Sequence, residues 1–206
     1  QALTTAVVEE NEVRSRQGRP HLFLLYDEVY GALTFGDAHH AHPVALVPES
    51  APWVISLDAI SKCLAATGLR VGWSLAAPVV TARLKDLIGH VGAWAPRPEQ
   101  VALAEFLRDV DAVDEFRDAM LERVRQRLNA LHAGFTKMRG EGYPVECIYP
   151  QGAIYLSLRL DVARKTHRGA RLDTNGAIRE LLLEHAGLAG GPFQAFGPQE
   201  NPGRFR

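Results

Sequence analysis

Residues 56–73 read Ser-Leu-Asp-Ala-Ile-Ser-Lys-Cys-Leu-Ala-Ala-Thr-Gly-Leu-Arg-Val-Gly-Trp, and this stretch decides the fold. Its central lysine, Lys62, is flanked by small and apolar residues, whereas lysine side chains normally lie on solvated faces. Such surroundings disfavour the charged ammonium and make the amine more nucleophilic, as Schiff-base chemistry requires. The alternative is a surface lysine whose aliphatic stem covers apolar neighbours. The lysine and its neighbours leave both interpretations open.

Short apolar runs on either side of this stretch predict an α/β fold. His21–Tyr26 and Pro52–Leu57 are typical of strands buried on both faces of a parallel sheet, and each is followed by an aspartate. A third strand is predicted over 69–76. Open parallel sheets bind ligands beyond the carboxyl ends of their strands. We therefore expect Asp27 and the Lys62 segment to face one crevice.

The remaining patterns predict a helix at the start of the chain and a smaller α+β part at its end. Helical patterns cover 2–18, 98–139 and 175–185, β-type runs cover 145–149, 153–160 and 204–206, and 187–203 is a Gly/Pro-rich loop. Within 98–139, Pro98 fits a first helical position and Asp111 is the expected N-cap of a second, longer helix. Together they predict an α/β part over 1–120 and an α+β part over 121–206.

Composition and charge exclude several classes of partner. The 206 residues carry a formal net charge of -1, whereas nucleic acid or an anionic membrane requires a basic surface. No apolar run approaches the roughly 20 residues of a membrane span, and no signal peptide opens the chain. Cys63 and Cys147 are too few for a disulfide framework and are not spaced as metal ligands. We expect a cytoplasmic protein without a metal.

An ordered set of motifs resembles class I/II aminotransferases, the fold-type I enzymes that use pyridoxal 5'-phosphate (PLP). The set comprises Asp27-Glu-Val-Tyr30, Ser61-Lys62 and Gly68-Leu-Arg70-Val-Gly72, and segments 150–156 and 192–206 resemble the family's C-terminal domain. The resemblance implies the PLP-dependent transferase fold, with a mostly parallel sheet in a large domain and a smaller α+β domain. Residues 1–120 would then be the C-terminal part of the large domain, and 121–206 a truncated small domain.

The resemblance implies a role for each matching residue around the cofactor. Lys62 would form the Schiff base with PLP and transfer the substrate's α-proton. Asp27 would pair with the pyridine nitrogen, and Tyr30 would bind the phenolic oxygen. Arg70 and Ser61 would bind the phosphate. Without the motif set, Asp27 reads as a turn or cap aspartate and Tyr30 as a core tyrosine.

Arg206 matches the family arginine that binds the substrate's α-carboxylate, although a surface arginine is the alternative.

Two departures from the family pattern stand out. Ala59 occupies a position where many relatives have a serine that binds phosphate. The family's residues upstream of the Asp-x-x-Tyr strand have no counterpart, the chain begins with Gln1, and it ends inside a predicted strand. We expect the natural protein to have an N-terminal half beyond this sequence.

Other conspicuous residues favour structural interpretations. His39, His40 and His42 are interpreted as a solvated loop, because no carboxylate or cysteine stands at a complementary spacing for a metal. Cys63 is interpreted as a small buried thiol and Glu28 as a solvated or structural residue. Trp94 resembles a segment that approaches the partner subunit's site, against the alternative of a core tryptophan.

The predicted function is transamination between an amino acid and a 2-oxo acid by a homodimer. Two alternatives remain open. The same residues serve PLP-dependent C–S lyases and cyclopropane-carboxylate synthases, and aminotransferase-like domains also act as non-catalytic ligand sensors.

Overall fold

The computed structural model describes residues 1–197 and 202–206, which divide into two compact units, Gln1–Leu121 and Glu122–Arg206. We propose that these units correspond to the two domains predicted over 1–120 and 121–206. Each unit is described by itself.

The first unit is built from short strands and helices in alternation. Its elements are α1 (Ala2–Arg16), β1 (Leu24–Asp27), α2 (Pro43–Leu46), β2 (Val54–Ala59), α3 (Ile60–Cys63), β3 (Gly72–Leu75), α4 (Pro78–Val91), α5 (Arg97–Phe106) and the beginning of α6 (Val110–Gly140). The predicted first helix is confirmed by α1, and the two helices predicted over 98–139 are confirmed as α5 and the longer α6. The sequence pattern did not predict α4, which starts with Pro78 and ends at Gly92 with φ +71.

The strands of this unit form one mixed sheet in the order β1-β2-β3. β1 and β2 are parallel, with Asp27 opposite Leu57, whereas β2 and β3 are antiparallel, with Ala59 opposite Gly72. The predicted parallel relation therefore holds for the pair that carries the aspartate and the lysine segment.

The prediction of burial on both faces is wrong for the first of the two strands, because Leu25 in β1 is 63% exposed. β1 lies at an edge of the three-stranded sheet, where fewer neighbouring elements cover the side chains. In the central strand β2, Val54 and Ser56 are buried and the other residues are half-buried. The predicted end of the second strand before Asp58 is also wrong, because β2 continues to Ala59.

A buried asparagine connects α1 to the chain that leads into β1. The side-chain amide of Asn11 donates to the carbonyl of Leu22 at 2.8 Å and accepts from the amide of Leu22 at 2.7 Å. Asn11 is completely buried. Its two hydrogen bonds satisfy a polar group that would otherwise be costly to bury.

The second unit contains the rest of α6 and an antiparallel sheet. Its elements are β4 (Val145–Cys147), β5 (Leu158–Leu160), β6 (Thr166–His167), β7 (Ala170–Arg171), α7 (Asn175–Ala186) and β8 (Arg204–Phe205), with a 3₁₀ helix at Phe193–Phe196. The larger sheet has the order β4-β5-β8. The helix predicted over 175–185 is confirmed, and the predicted strands are present but shorter.

The core of this unit lies between α7 and the larger sheet. Leu172, Ile178 and Phe205 are buried together, with leucines of β5 and α7 packed against them. Thr174 caps α7 by accepting a hydrogen bond from the amide of Ala177 at 3.2 Å. Over 1–197 and 202–206, no helix combines the length and the apolar character needed to cross a lipid bilayer.

Candidate active site

The chain turns sharply from β2 into the one-turn helix α3, and this turn positions Lys62. Ile60, the first residue of that helix, is 1% exposed and fixes its start against the core. Lys62 is half-buried and follows Ser61, which is also half-buried. Cys63 donates from its thiol to the carbonyl of Ala59 at 3.3 Å, and burial raises the pKa of this thiol. A thiol held in this way closes the turn and is disfavoured as a nucleophile.

Tyr30 lies next to the amine of Lys62. The Nζ atom is 5.8 Å from the centroid of the phenol ring. Tyr30 follows β1 in a tight turn, in which the amide of Gly31 donates to the carbonyl of Glu28 at 2.6 Å. The chain after the turn is anchored by Leu33, which is 1% exposed. The structure thus brings together two residues that stand 32 positions apart in the sequence.

Asp27 is the last residue of β1 and its side chain is exposed. Its Oδ1 atom accepts a hydrogen bond from the amide of Val29 at 3.2 Å, so the carboxylate also stabilises the turn that carries Tyr30. The amide of Glu28 donates to the carbonyl of Leu57 at 2.9 Å and extends the pairing between β1 and β2 by one bond. The interpretation of Asp27 as a turn aspartate is therefore confirmed, and this role is compatible with the same carboxylate binding a ligand.

Arg70 lies in the left-handed region of the backbone, with φ 58. It is exposed, and its Nη1 atom donates to the carbonyl of Thr67 at 2.9 Å. It lines a cavity of about 570 Å³ together with Gly72, Trp94 and Gln100. Trp94 is 57% exposed, so the core-tryptophan alternative does not hold within this unit.

Gly72 is required by the close approach of β3 to β2 beside this arginine. A Cβ atom at position 72 would lie 2.9 Å from the carbonyl oxygen of Asp58 and 3.0 Å from the Cβ of Ala59. Ala59, where many relatives have serine, therefore packs against Gly72.

A histidine–glutamate brace lies behind the Asp27–Tyr30 turn. We use this name for Glu28, His40, His42 and Ser56. His40 Nε2 is 2.8 Å from Glu28 Oε2, and His42 Nε2 is 2.8 Å from the hydroxyl of the buried Ser56. The loop folds back over β1 and so brings Glu28 to His40. No signal in the local sequence pairs Glu28 with a residue twelve positions away.

The brace is not a metal site in the part of the chain that the structure describes. Among residues 1–197 and 202–206, no three histidine, cysteine, aspartate or glutamate side chains are grouped so that they could hold a metal ion. His40 also stacks on Tyr26, with ring centroids 5.8 Å apart, and His42 accepts from the amide of Val44 at the start of α2. These contacts are those of a structural brace.

Carboxylates concentrate at the same end of the sheet and affect Asp58. Its pKa is raised from the ordinary value, chiefly by burial and further by the nearby carboxylates of Glu28 and Asp27. The amide of Ala59, which donates to Asp58 at 2.7 Å, and His40 act in the opposite direction. The end of β1 and β2 is therefore a negatively charged region, suited to a positively charged ligand group.

In the second unit, Arg206 is held between two aromatic rings. Its guanidinium carbon lies 3.8 Å from the ring centroid of Tyr155 and 3.8 Å from that of Phe196. Its backbone amide and carbonyl each pair with Gly191 at 2.7 Å. The two rings were not among the predicted site residues, because nothing in the local pattern connects positions 155, 196 and 206.

Comparison with known proteins gives the family. The sequence profile of aminotransferase class I and II matches residues 9–206. The chain belongs to this family. It is 35% identical to the aspartate aminotransferase of Streptomyces avermitilis over 188 residues, which cover 90% of this chain and 43% of that protein. It is 28% identical to the aspartate aminotransferase of Geobacillus stearothermophilus, covering 87% of this chain and 43% of that protein.

Solved structures show the fold. The aspartate aminotransferase of Rhizobium meliloti superposes with a TM-score of 0.75 at 24% identity, covering 94% of this chain and 46% of that chain. An N-succinyldiaminopimelate aminotransferase from Mycobacterium tuberculosis gives a TM-score of 0.73 at 21% identity, covering 98% and 48%. The predicted aminotransferase fold is confirmed, and the chain spans less than half the length of the relatives that it matches.

Proposed function

We propose that this aminotransferase-family protein is a PLP-dependent transaminase, which moves an amino group from an amino acid to a 2-oxo acid. The observation that carries the proposal is the amine of Lys62 beside the ring of Tyr30, in the turn that follows Asp27. Family membership supports the reaction class, because PLP dependence is implied by the family.

The residue types of the first unit fit the chemical groups of PLP. PLP presents an aldehyde, a phenolic oxygen, a basic ring nitrogen and a phosphate. We assign Lys62 to the aldehyde carbon, Tyr30 to the phenolic oxygen and Asp27 to the ring nitrogen. Arg70 and Ser61 are assigned to the phosphate, for which a planar guanidinium offers two parallel hydrogen bonds. When bound, the cofactor supplies an electron sink for the carbanion formed at the substrate's α-carbon.

The protein's own contribution is to hold charges and to move one proton. Asp27 would keep the ring nitrogen of a bound cofactor protonated, since a carboxylate favours a positive charge on its hydrogen-bond partner. Lys62 Nζ would take the proton from the α-carbon of the substrate and deliver it to the carbon that was the aldehyde carbon of the cofactor, and the second half-reaction would run the transfer in the opposite direction. The ring of Tyr30, whose centroid is 5.8 Å from Nζ, limits the positions that this amine can occupy.

Arg206 is assigned to the α-carboxylate of the amino acid and of the 2-oxo acid. The rings of Tyr155 and Phe196 occupy the faces of the guanidinium, and each ring centroid is 3.8 Å from the guanidinium carbon. Its N–H groups point outward in the plane and remain the hydrogen-bonding groups, which suits a bidentate pair with a carboxylate.

The names of the relatives support a choice of substrate. Several are named aspartate aminotransferases, so L-aspartate is the proposed amino donor. A homodimer is the proposed assembly. The cytoplasm is the proposed compartment, because Cys63 and Cys147 are free thiols.

The test uses the full-length protein, its Lys62→Ala variant and a Lys85→Ala control at an exposed lysine of α4. With PLP added, wild type and control should show a visible absorbance band and transfer the amino group from L-aspartate to 2-oxoglutarate. Lys62→Ala should lose the band, and its rate should fall at least about 10⁴-fold, because the same amine is proposed to bind the cofactor and to transfer the proton. A colourless wild type, or a Lys62→Ala variant that keeps its activity, would show the proposal to be wrong. Elimination products in place of transfer would indicate a lyase.

A further inference from the structure

A completely buried asparagine stands at the start of α7. Asn175 is the first residue of the helix and is 0% exposed. Its Nδ2 atom donates to Gln194 Oε1 at 2.6 Å, and its Oδ1 atom accepts from the amide of Gly203 at 2.7 Å. One side chain thus binds two residues that are separated in the sequence and belong to different local structures.

Both hydrogen bonds lead to Arg206. Gln194 belongs to the 3₁₀ helix Phe193–Phe196, whose last residue stacks on the guanidinium of Arg206 at 3.8 Å. Gly203 directly precedes β8, and the residue after β8 is Arg206. Asn175 therefore connects the backbone that carries the arginine to the element that carries one of its aromatic neighbours.

The backbone at Gly203 has little freedom to move independently of this bond. Its φ is +91, and a Cβ atom there would collide with the carbonyl of Leu160. The carbonyl of Gly203 accepts from the amide of Leu160 at 2.7 Å. Phe205, which is 1% exposed, holds the following strand β8 in the core. Asn175 supplies the acceptor for the buried amide of Gly203, which would be costly to leave without a partner.

We propose that Asn175 is a positioning residue for carboxylate recognition by Arg206, and that it acts through Gln194 and Gly203. The inference rests on the proposed function insofar as Arg206 binds the substrate. The geometry itself does not depend on that function. The side-chain amide of Asn175 sets the distance between the guanidinium and the ring of Phe196, and so it sets the plane in which the N–H groups of the arginine meet a carboxylate.

Three variants of the full-length protein separate the two hydrogen bonds. Asn175→Ala removes both. Gln194→Met removes only the acceptor for Nδ2 and preserves the length of the side chain, whereas Gln194→Glu keeps an acceptor oxygen. Asn11→Ala is the matched control, because it removes another completely buried asparagine with two hydrogen bonds, in the first unit.

Steady-state kinetics with L-aspartate and 2-oxoglutarate give the first readout. Since a hydrogen bond contributes a few-fold to ten-fold in an equilibrium constant, KM for both substrates should rise about ten-fold in Asn175→Ala and about three-fold in Gln194→Met. We expect kcat to change less than about two-fold. Gln194→Glu should restore KM to within about two-fold of wild type, and Asn11→Ala should leave it there.

The second readout is independent of catalysis. The Nε–H resonance of Arg206 in a proton–nitrogen spectrum is displaced by the ring currents of Tyr155 and Phe196, and this displacement should decrease in Asn175→Ala and Gln194→Met only. An unchanged resonance in both, or a KM that rises no more than in Asn11→Ala, would overturn the positioning role even if transamination and the visible band persist. If the wild type transfers no amino group, the proposed function fails, and the resonance still decides the role of Asn175. If Asn175→Ala does not fold, the two Gln194 variants decide it.

Discussion

Asn11 and Asn175 are both completely buried and each uses both polar atoms of its amide, yet they serve different purposes. Asn11 binds the amide and the carbonyl of a single residue, Leu22. Asn175 binds two residues on different segments, Gln194 and Gly203. The first arrangement fastens a helix to the chain that enters a strand. The second connects the two segments around an arginine.

The difference shows how similar local energies can have unequal consequences for function. Leu22 stands five positions before Asp27, and the strand β1, which pairs with β2, lies between them. Gly203 stands three positions before Arg206, with only the two-residue strand β8 between them. We therefore expect mutations of Asn11 to affect stability and mutations of Asn175 to affect both stability and substrate recognition.

Within this comparison of the two units, the strongest effects are expected at the arginine proposed to bind the substrate and at the arginine proposed to bind the cofactor. Arg206→Ala should raise KM for L-aspartate about 100-fold, because loss of a bidentate charged pair costs roughly 2–5 kcal/mol, and should leave the visible band of the PLP-loaded protein unchanged. Arg70→Ala should weaken PLP affinity by a similar factor, measured by titration of the apoprotein. If both variants affect PLP affinity equally, the assignment of Arg206 to the substrate is wrong.

Replacing either asparagine should lower the free energy of unfolding by a similar amount. Asn11→Ala removes the partner of the amide and the carbonyl of Leu22, and Asn175→Ala removes the partner of the buried amide of Gly203 and of Gln194 Oε1. Each should lower the free energy of unfolding by about 1–3 kcal/mol. Urea titration of the full-length protein, followed by circular dichroism, measures both. A loss below about 0.5 kcal/mol in either variant would mean that water or a neighbouring group replaces the lost hydrogen bonds, and the comparison between the two residues would no longer stand.

A smaller effect is expected from the histidine–glutamate brace. His40→Ala removes the partner of Glu28 and the ring stacked on Tyr26, and should weaken PLP affinity about three-fold by loosening the turn that carries Tyr30. His39→Ala, at an exposed neighbouring position, is the control and should bind PLP as wild type does. Equal PLP affinity in all three proteins would restrict the brace to a structural role.

The smallest effect concerns Asp58, whose pKa is raised in the folded state by burial and by the carboxylates of Glu28 and Asp27. A raised pKa means that the folded protein binds the proton more tightly than the unfolded chain, so stability falls as pH rises from the ordinary carboxyl pKa of 3.8 through the folded value. Asp58→Asn should remove this penalty at pH 7 while its carbonyl still accepts from Ala59.

Because Asp58 is partly exposed, we expect a gain below about 0.5 kcal/mol and a rise in Tm of about 1 °C. The gain should shrink as the pH is lowered toward about 4. Thermal unfolding of Asp58→Asn, compared with Asp37→Asn in the exposed loop, measures it. A decrease in Tm at neutral pH would show that the charged carboxylate is favourable in the folded protein.

Local patterns predicted the helices α1 and α7 closely, because Gly18 and Pro20 mark the end of α1, and α7 has an amphipathic pattern and begins at the capping residue Thr174. They failed for α4, which has no buried residue in this unit, and for the end of β2, where strand pairing carried the chain on to Ala59. The direction of β3 was equally inaccessible, because antiparallel pairing depends on where the chain returns.

The ordered spacing of Asp27, Tyr30, Lys62 and Arg70 was enough to predict the family and its fold. The partners of the side chains at the two candidate binding regions became known from the three-dimensional structure. The partnerships Glu28–His40 and Asn175–Gly203 join positions 12 and 28 apart, and the rings of Tyr155 and Phe196 meet Arg206 from two further segments. The physical reason is that hydrogen bonds and ring contacts depend on distance in space, whereas the periodicity of a sequence reports only on neighbours along one helix or strand.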